Sequence, residues 1–168
     1  SEKKYELTKK TLELIYNHNL PAHILTKSTL IKRDFELLKK INEKTKVIIS
    51  MSFSSIDKDI SNIFEPNVPD PEERLNVLSD FKEQGISCGM FLLPVIPFIT
   101  DNPSFVERSI KKAKENDLDY VIFGGMTLKE GKQKKYFIKV LKDNFPDLIP
   151  NYENIYKDDK WGNATNEY

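Results

Sequence analysis

Apolar residues along this chain switch repeatedly between two periods. Residues 22–26, 47–53, 88–94 and 120–125 are short, nearly continuous apolar runs, the pattern of strands buried on both faces of a parallel sheet. Ahead of each run lies a segment whose apolar positions recur every three or four residues, at 5–17, 34–43, 70–85 and 102–115. The third segment carries the most end signals. Asp70 is placed to cap, Pro71 takes the first helical position, Glu72 and Glu73 face the positive end, and Gly85 supplies a left-handed stop. Asn102-Pro103 repeats the opening. A lysine-rich amphipathic helix follows Gly131 to about position 143, and 146–168 reads as irregular tail beyond one domain at 1–145.

Helices alternating with strands predict an α/β fold in which right-handed crossovers cover a parallel sheet. The pattern fits a barrel arc and an open doubly wound sheet equally, and both place ligand chemistry at the carboxyl ends of the strands. Those ends carry Thr26-Lys27-Ser28, the serines 50, 52, 54 and 55, Pro94-Val95-Ile96-Pro97, and Gly124-Gly125. Alternation puts Ser50 and Ser52 on one face with Ile48, while Val47, Ile49, Met51 and Phe53 share the helix-packed face. Hydroxyls inside an arc point to a ligand, although turn and capping work accounts for them equally. Lys27 needs an anion if buried, or reaches water along its own stem. Gly124-Gly125 permits close backbone approach, and Pro94 with Pro97 makes a rigid wall for a flat ring. Glu65 and Arg74 are set to pair and fix a connecting loop, whereas His18 and His23 form no metal spacing and read as structural or surface histidines.

Composition narrows the classes. In 168 residues, 26 basic side chains balance 26 acidic ones, so contact with nucleic acid or an anionic membrane has to be local. A lone cysteine, Cys88, forms no internal disulfide and no metal site by itself, which points to a reducing, cytoplasmic setting. No apolar run reaches the roughly 20 residues of a membrane span, and the charged first ten residues do not form a signal peptide. No glycine-rich phosphate loop, nucleophile elbow or paired-cysteine motif occurs.

The series Pro21-Ala22-His23-Ile24-Leu25-Thr26-Lys27-Ser28, Arg33-Asp34, Ile49-Ser50-Met51-Ser52, Phe64-Glu65-Pro66 and Glu73-Arg74-Leu75 resembles radical S-adenosylmethionine proteins of the spore photoproduct lyase type. Leu92-Leu93-Pro94-Val95-Ile96-Pro97 and Gly124-Gly125-Met126-Thr127-Leu128-Lys129 extend the likeness over nearly the whole chain. The resemblance implies strands three to six of a TIM-barrel-like (β/α)6 barrel, in a fragment without activity of its own. It also implies S-adenosylmethionine and a 4Fe-4S cluster in the parent protein. Lys27 and Ser50 would steady the methionine portion of the cofactor, Ser52 would reach toward the ribose, and Pro94, Val95 and Gly124 would border the adenine. The cysteine triplet that holds the cluster is absent, as is the hydrogen-donating cysteine of spore photoproduct lyases, so neither metal ligands nor catalytic residues are assigned and thymine-dimer repair is in doubt. The expected partners are the missing N-terminal half of the polypeptide and a second copy, docked on the exposed strand 22–26. Two other readings compete: a barrel lyase or aldolase using Lys27 as a Schiff-base nucleophile, and a non-catalytic module binding through the basic helix at 129–142.

Overall fold

The computed structural model describes residues 2–157, 159–166 and 168. Four parallel strands stand in chain order: β1 (Ala22–Thr26), β2 (Val47–Phe53), β3 (Ser87–Val95) and β4 (Tyr120–Gly125). Between them run α3 (Phe35–Lys44), α4 (Lys58–Phe64), α5 (Pro71–Lys82) and α6 (Pro103–Glu115). The fold is the α/β alternation that the apolar periods predict. Consecutive strands are neighbours because each helix returns the chain to the same edge with the same hand.

Local chemistry sets the element ends. At the start of α5, Asp70 Oδ1 accepts from the Glu73 backbone N–H at 2.9 Å and Glu73 Oε2 accepts from that of Asp70 at 2.9 Å, a reciprocal cap. After α5, Gly85 turns at φ +70, and the Ile86 backbone N–H closes onto the Phe81 carbonyl at 3.2 Å. Asn102 caps α6 through the Phe105 backbone N–H at 2.9 Å.

Val47, Ile49, Met51 and Phe53 are all fully buried, and they meet Leu38, Ile41, Leu75, Leu78 and Phe81 from the helices. The opposite, concave face stays largely open, with Leu25 and Ile122 exposed. Among the described residues each outer strand pairs on one side only, so β1 presents a free edge at residues 22–26. Among the described residues no helix is long and apolar enough to cross a membrane.

Three differences from the sequence reading bear on the architecture. The first helix divides at Glu6, which takes a left-handed φ of 51, into α1 (Glu2–Tyr5) and α2 (Leu7–Asn17). The short α4, capped by Asp57, was not foreseen; seven residues carry too little periodicity to stand out. The tail is not wholly irregular. Beyond α7 (Lys132–Asn144), a 3-10 turn leads into α8 (Ile149–Ile155), and Tyr152, Ile155 and Tyr156 are buried in a second cluster with Ile96, Met126, Leu128 and Leu141. The spacing of Leu148, Tyr152, Ile155 and Tyr156 is helical, and Pro150 lies in the first turn, where its missing N–H costs nothing.

Cys88 lies near the amino end of β3, fully buried, and burial pushes its thiol up to about 12. The native chain is therefore expected to resist iodoacetamide at pH 8 and to react promptly in denaturant. Rapid native alkylation, read by intact mass, would contradict that burial.

Candidate functional site

The parallel sheet brings the carboxyl ends of all four strands to one edge, and there the polar side chains sort into two levels. At the upper level Lys27, one residue past β1, forms an ion pair with Glu65, which follows α4. The lysine side chain is 40% exposed and the glutamate 4%. The other carboxylate oxygen of Glu65 accepts from Arg74 Nη2 at 2.8 Å, as the sequence spacing anticipated. Arg74 is fully buried: Nη1 donates to the Ser52 carbonyl at 2.5 Å, Nη2 also reaches Ser61 Oγ at 3.0 Å, and the guanidinium lies 4.7 Å from the centre of the Phe53 ring. One carboxylate thus serves two cations. The cluster keeps a net charge of +1, carried to the surface by the exposed lysine.

Among the described residues, the pockets at this end include two that bear on the site. One, of about 130 Å³, is lined by Lys27, Ser54, Glu65 and Pro94 together with apolar groups from α4 and α7. The other, of about 360 Å³, is lined by Val95, Asp101, Gly125, Thr127 and residues of the C-terminal tail, and Met126 is shared between them. Ser52 points between β2 and β3 and donates to the Leu93 carbonyl at 3.1 Å. Gly124 packs under Leu93: a Cβ built there would fall 2.0 Å from Leu93 Cδ2.

Ser50 belongs to the lower level. Its hydroxyl is fully buried, 2.7 Å from His23 Nε2 and 2.6 Å from Tyr120 Oη, in a polar chain crossing the concave face. Gly89 makes this chain feasible. The Tyr120 ring passes directly over it, and a Cβ there would lie 2.2 Å from that ring. The Phe91 ring lies 5.9 Å from His23 and 6.3 Å from Tyr120.

Of the residues singled out in the sequence, Lys27 and Pro94 share one pocket and Val95 lines the next; Ser50, Ser52 and Gly124 line neither. Sequence reasoning missed the partnership of Glu65 with Lys27, because a side chain 38 positions away leaves no local pattern. It read His23 only as a structural or surface histidine and passed over Tyr120. Their signal was the alternation that sets His23 on the face of Leu25, with a glycine in the strand that Tyr120 must cross. A Schiff-base role for Lys27 loses ground, since a desolvated amine is what that chemistry requires and this one is ion-paired and 40% exposed. The lysines at 132, 135, 139 and 142 form an exposed stripe on α7.

Among the described residues, no group of three or more histidine, cysteine or acidic side chains is placed to hold a metal ion. With Cys88 sealed in the core, an iron–sulfur cluster does not fit on this chain's own side chains.

No family model matches the chain. Among curated proteins, an uncharacterized protein of Mycobacterium tuberculosis is 24% identical over 157 residues, covering 94% of this chain and 46% of the relative. An uncharacterized protein of Methanocaldococcus jannaschii is 29% identical over 146 residues, 87% of this chain and 52% of the relative. One from Acidianus two-tailed virus is 29% identical over 140 residues, covering 82% and 46%. The chain spans about half the length of these relatives. Among solved structures, Streptococcus suis SuiB bound to S-adenosylmethionine superimposes with a TM-score of 0.56 at 16% identity, over 89% of this chain and 35% of that one. SuiB bound to its precursor peptide SuiA matches with a TM-score of 0.56 at 13% identity, over 83% and 33%. The likeness is one of fold: a four-stranded parallel sheet with alternating helices, consistent with part of a barrel.

Proposed function

We propose that this chain is part of a radical S-adenosylmethionine enzyme similar to spore photoproduct lyase, contributing Lys27 to the seat of the cofactor's methionine carboxylate. The observation that carries the reading is the Lys27–Glu65–Arg74 cluster: two cations on one carboxylate leave a unit of positive charge at the strand ends, where an incoming carboxylate would restore neutrality. Arg74, fully buried, cannot reach that ligand; Lys27 can. Ser52, Pro94, Val95 and Gly124 would border the ribose and adenine, and Ser50, committed to His23 and Tyr120, would stiffen the sheet beneath them.

S-adenosylmethionine supplies a 5′-deoxyadenosyl group for radical chemistry when bound beside a reduced 4Fe-4S cluster. The cluster ligands would come from outside this chain, from the half of the polypeptide that this chain does not span in its relatives. That half would also pair with the free edge of β1; without it, the same edge favours self-association.

Calorimetric titration of this chain with S-adenosylmethionine tests the reading. Lys27→Met is expected to weaken binding about tenfold, the order of one charge-assisted hydrogen bond, and to leave binding of the decarboxylated cofactor unchanged. Equal affinity of the two proteins for S-adenosylmethionine would refute it.

A further inference from the structure

A pocket of about 210 Å³ is lined by residues of α2, of β1 and of the 3-10 turn Thr29–Asp34 that follows it. Leu12, Ile24, Leu30 and Ile31 supply its apolar lining, and Glu2, Thr8 and Arg33, which contact one another, gather its charge in one place. The Glu2 carboxylate is clasped there by two donors. Its Oε1 accepts from Arg33 Nη2 at 2.8 Å and its Oε2 from the Thr8 backbone N–H at 3.0 Å. Helix α2 brings no cap of its own, because Glu6 ahead of it turns left-handed at φ 51 and offers no side-chain bond. The Thr8 N–H therefore depends on a carboxylate from elsewhere.

Glu2 behaves as a ligand that the chain supplies to itself. It is carried on α1, whose Tyr5 is 54% exposed, and the link to α2 runs through the left-handed Glu6, a conformation disfavoured for a residue with a Cβ. Arg33 gives one edge to Asp34, Nε to Oδ1 at 2.9 Å and Nη2 to Oδ2 at 2.7 Å, and among the described residues Nη1 has no protein acceptor. An outside carboxylate can take Nη1 and Nη2 together as a fork, where Glu2 reaches only Nη2. Exchange of one carboxylate for another leaves the charge of the cluster unchanged. The seat also favours the ionised form, since Arg33 first and the Thr8 N–H next hold the Glu2 carboxyl down at about 2. An apolar cavity of about 150 Å³ takes up benzene, so one of about 210 Å³ with a polar end suits an acid of roughly four to six carbons.

We propose that this pocket binds a small aliphatic carboxylic acid, its carboxylate on Arg33 and the Thr8 N–H and its chain against Leu12, Ile24, Leu30 and Ile31, with Glu2 as the internal competitor that fills the seat when the acid is absent. Displacement of Glu2 frees Glu6 to leave its left-handed turn, so binding of the acid and movement of α1 are one event. The site shares no residue with the proposed cofactor seat and does not depend on that reading.

Isovalerate and its uncharged amide are the probes, titrated into the whole chain and followed by NMR of the Thr8 backbone amide and of the Leu12, Ile24, Leu30 and Ile31 methyl groups. Glu2→Gln, whose neutral side chain competes poorly for Arg33, is expected to bind isovalerate saturably at this site and about tenfold more tightly than the native chain. Isovaleramide should bind neither protein. In the Glu2→Gln background, Leu30→Phe, which fills the pocket, should abolish binding with an unchanged circular dichroism spectrum. Arg33→Lys, which keeps the charge and loses the fork, should weaken it about tenfold. Lys27→Met in the same background should leave isovalerate affinity as it was; a loss there would give the acid to the cofactor seat and overturn the proposal. Absence of saturable binding to Glu2→Gln overturns it, as does equal affinity of the native and Glu2→Gln chains, or an amide that binds as well as the acid. All these outcomes are read without S-adenosylmethionine, so the Lys27 titration stands or falls separately.

Discussion

Arg74→Met is expected to destabilise the chain by about 3 kcal/mol, near the lower end of what removing one partner of a buried ion pair costs. Three losses add up: the Ser52 carbonyl loses its donor, Ser61 loses a partner, and the 4%-exposed Glu65 loses one of its two cations. Lys27 remains on the other oxygen of Glu65, which keeps the cost from the upper end of the range. The same substitution changes the site. With Arg74 gone, Lys27 alone neutralises Glu65, the cluster's net charge falls to zero, and affinity for an external carboxylate should fall with it. Chemical denaturation with a constant slope would read the stability term. The double variant Arg74→Met with Glu65→Leu should recover much of it, because two matched apolar groups remove the buried charge that one substitution leaves behind. A loss below about 1 kcal/mol for the single variant would mean that the guanidinium is not structural.

Tyr152→Ala is expected to cost about 3–5 kcal/mol, the range for deleting a fully buried aromatic ring. Tyr152 is 1% exposed, touches the rings of Phe98, Phe137 and Tyr156, and donates to the Pro97 carbonyl at 2.6 Å. Burial raises its phenol well above the usual range, which favours the protonated, donating hydroxyl. Tyr156, which burial pushes up to about 12, holds the Met126 carbonyl at 2.8 Å in the same way. Tyr152→Phe isolates the hydroxyl and should cost only about 1 kcal/mol. Hydrogen exchange would show where the alanine variant opens: protection should fall across α7 and α8 while the strands keep theirs, since the strands are buried in a separate cluster. Uniform loss of protection would instead mean that the two clusters melt as one.

Four strands, their order of appearance, and the helices between them were legible in the sequence, because burial on both faces writes continuous apolar runs and one-sided helix packing writes a 3.6-residue period. The caps at Asp70 and Asn102 and the stop at Gly85 were legible for the same kind of reason: each satisfies orphaned backbone groups within a few residues of itself. Lys27 could be flagged as a cation at a strand end, and Glu65 could be matched to Arg74 nine positions on. The partners that define the site are another matter. Glu65 reaching Lys27 and Tyr120 crossing Gly89 to Ser50 join segments tens of residues apart. Local propensity depends on neighbours within a turn or a strand pair, so the chain could specify by itself which residues become helix or strand and which face of each is apolar. Which polar side chain meets which across the sheet was decided only when the crossovers stacked those faces together.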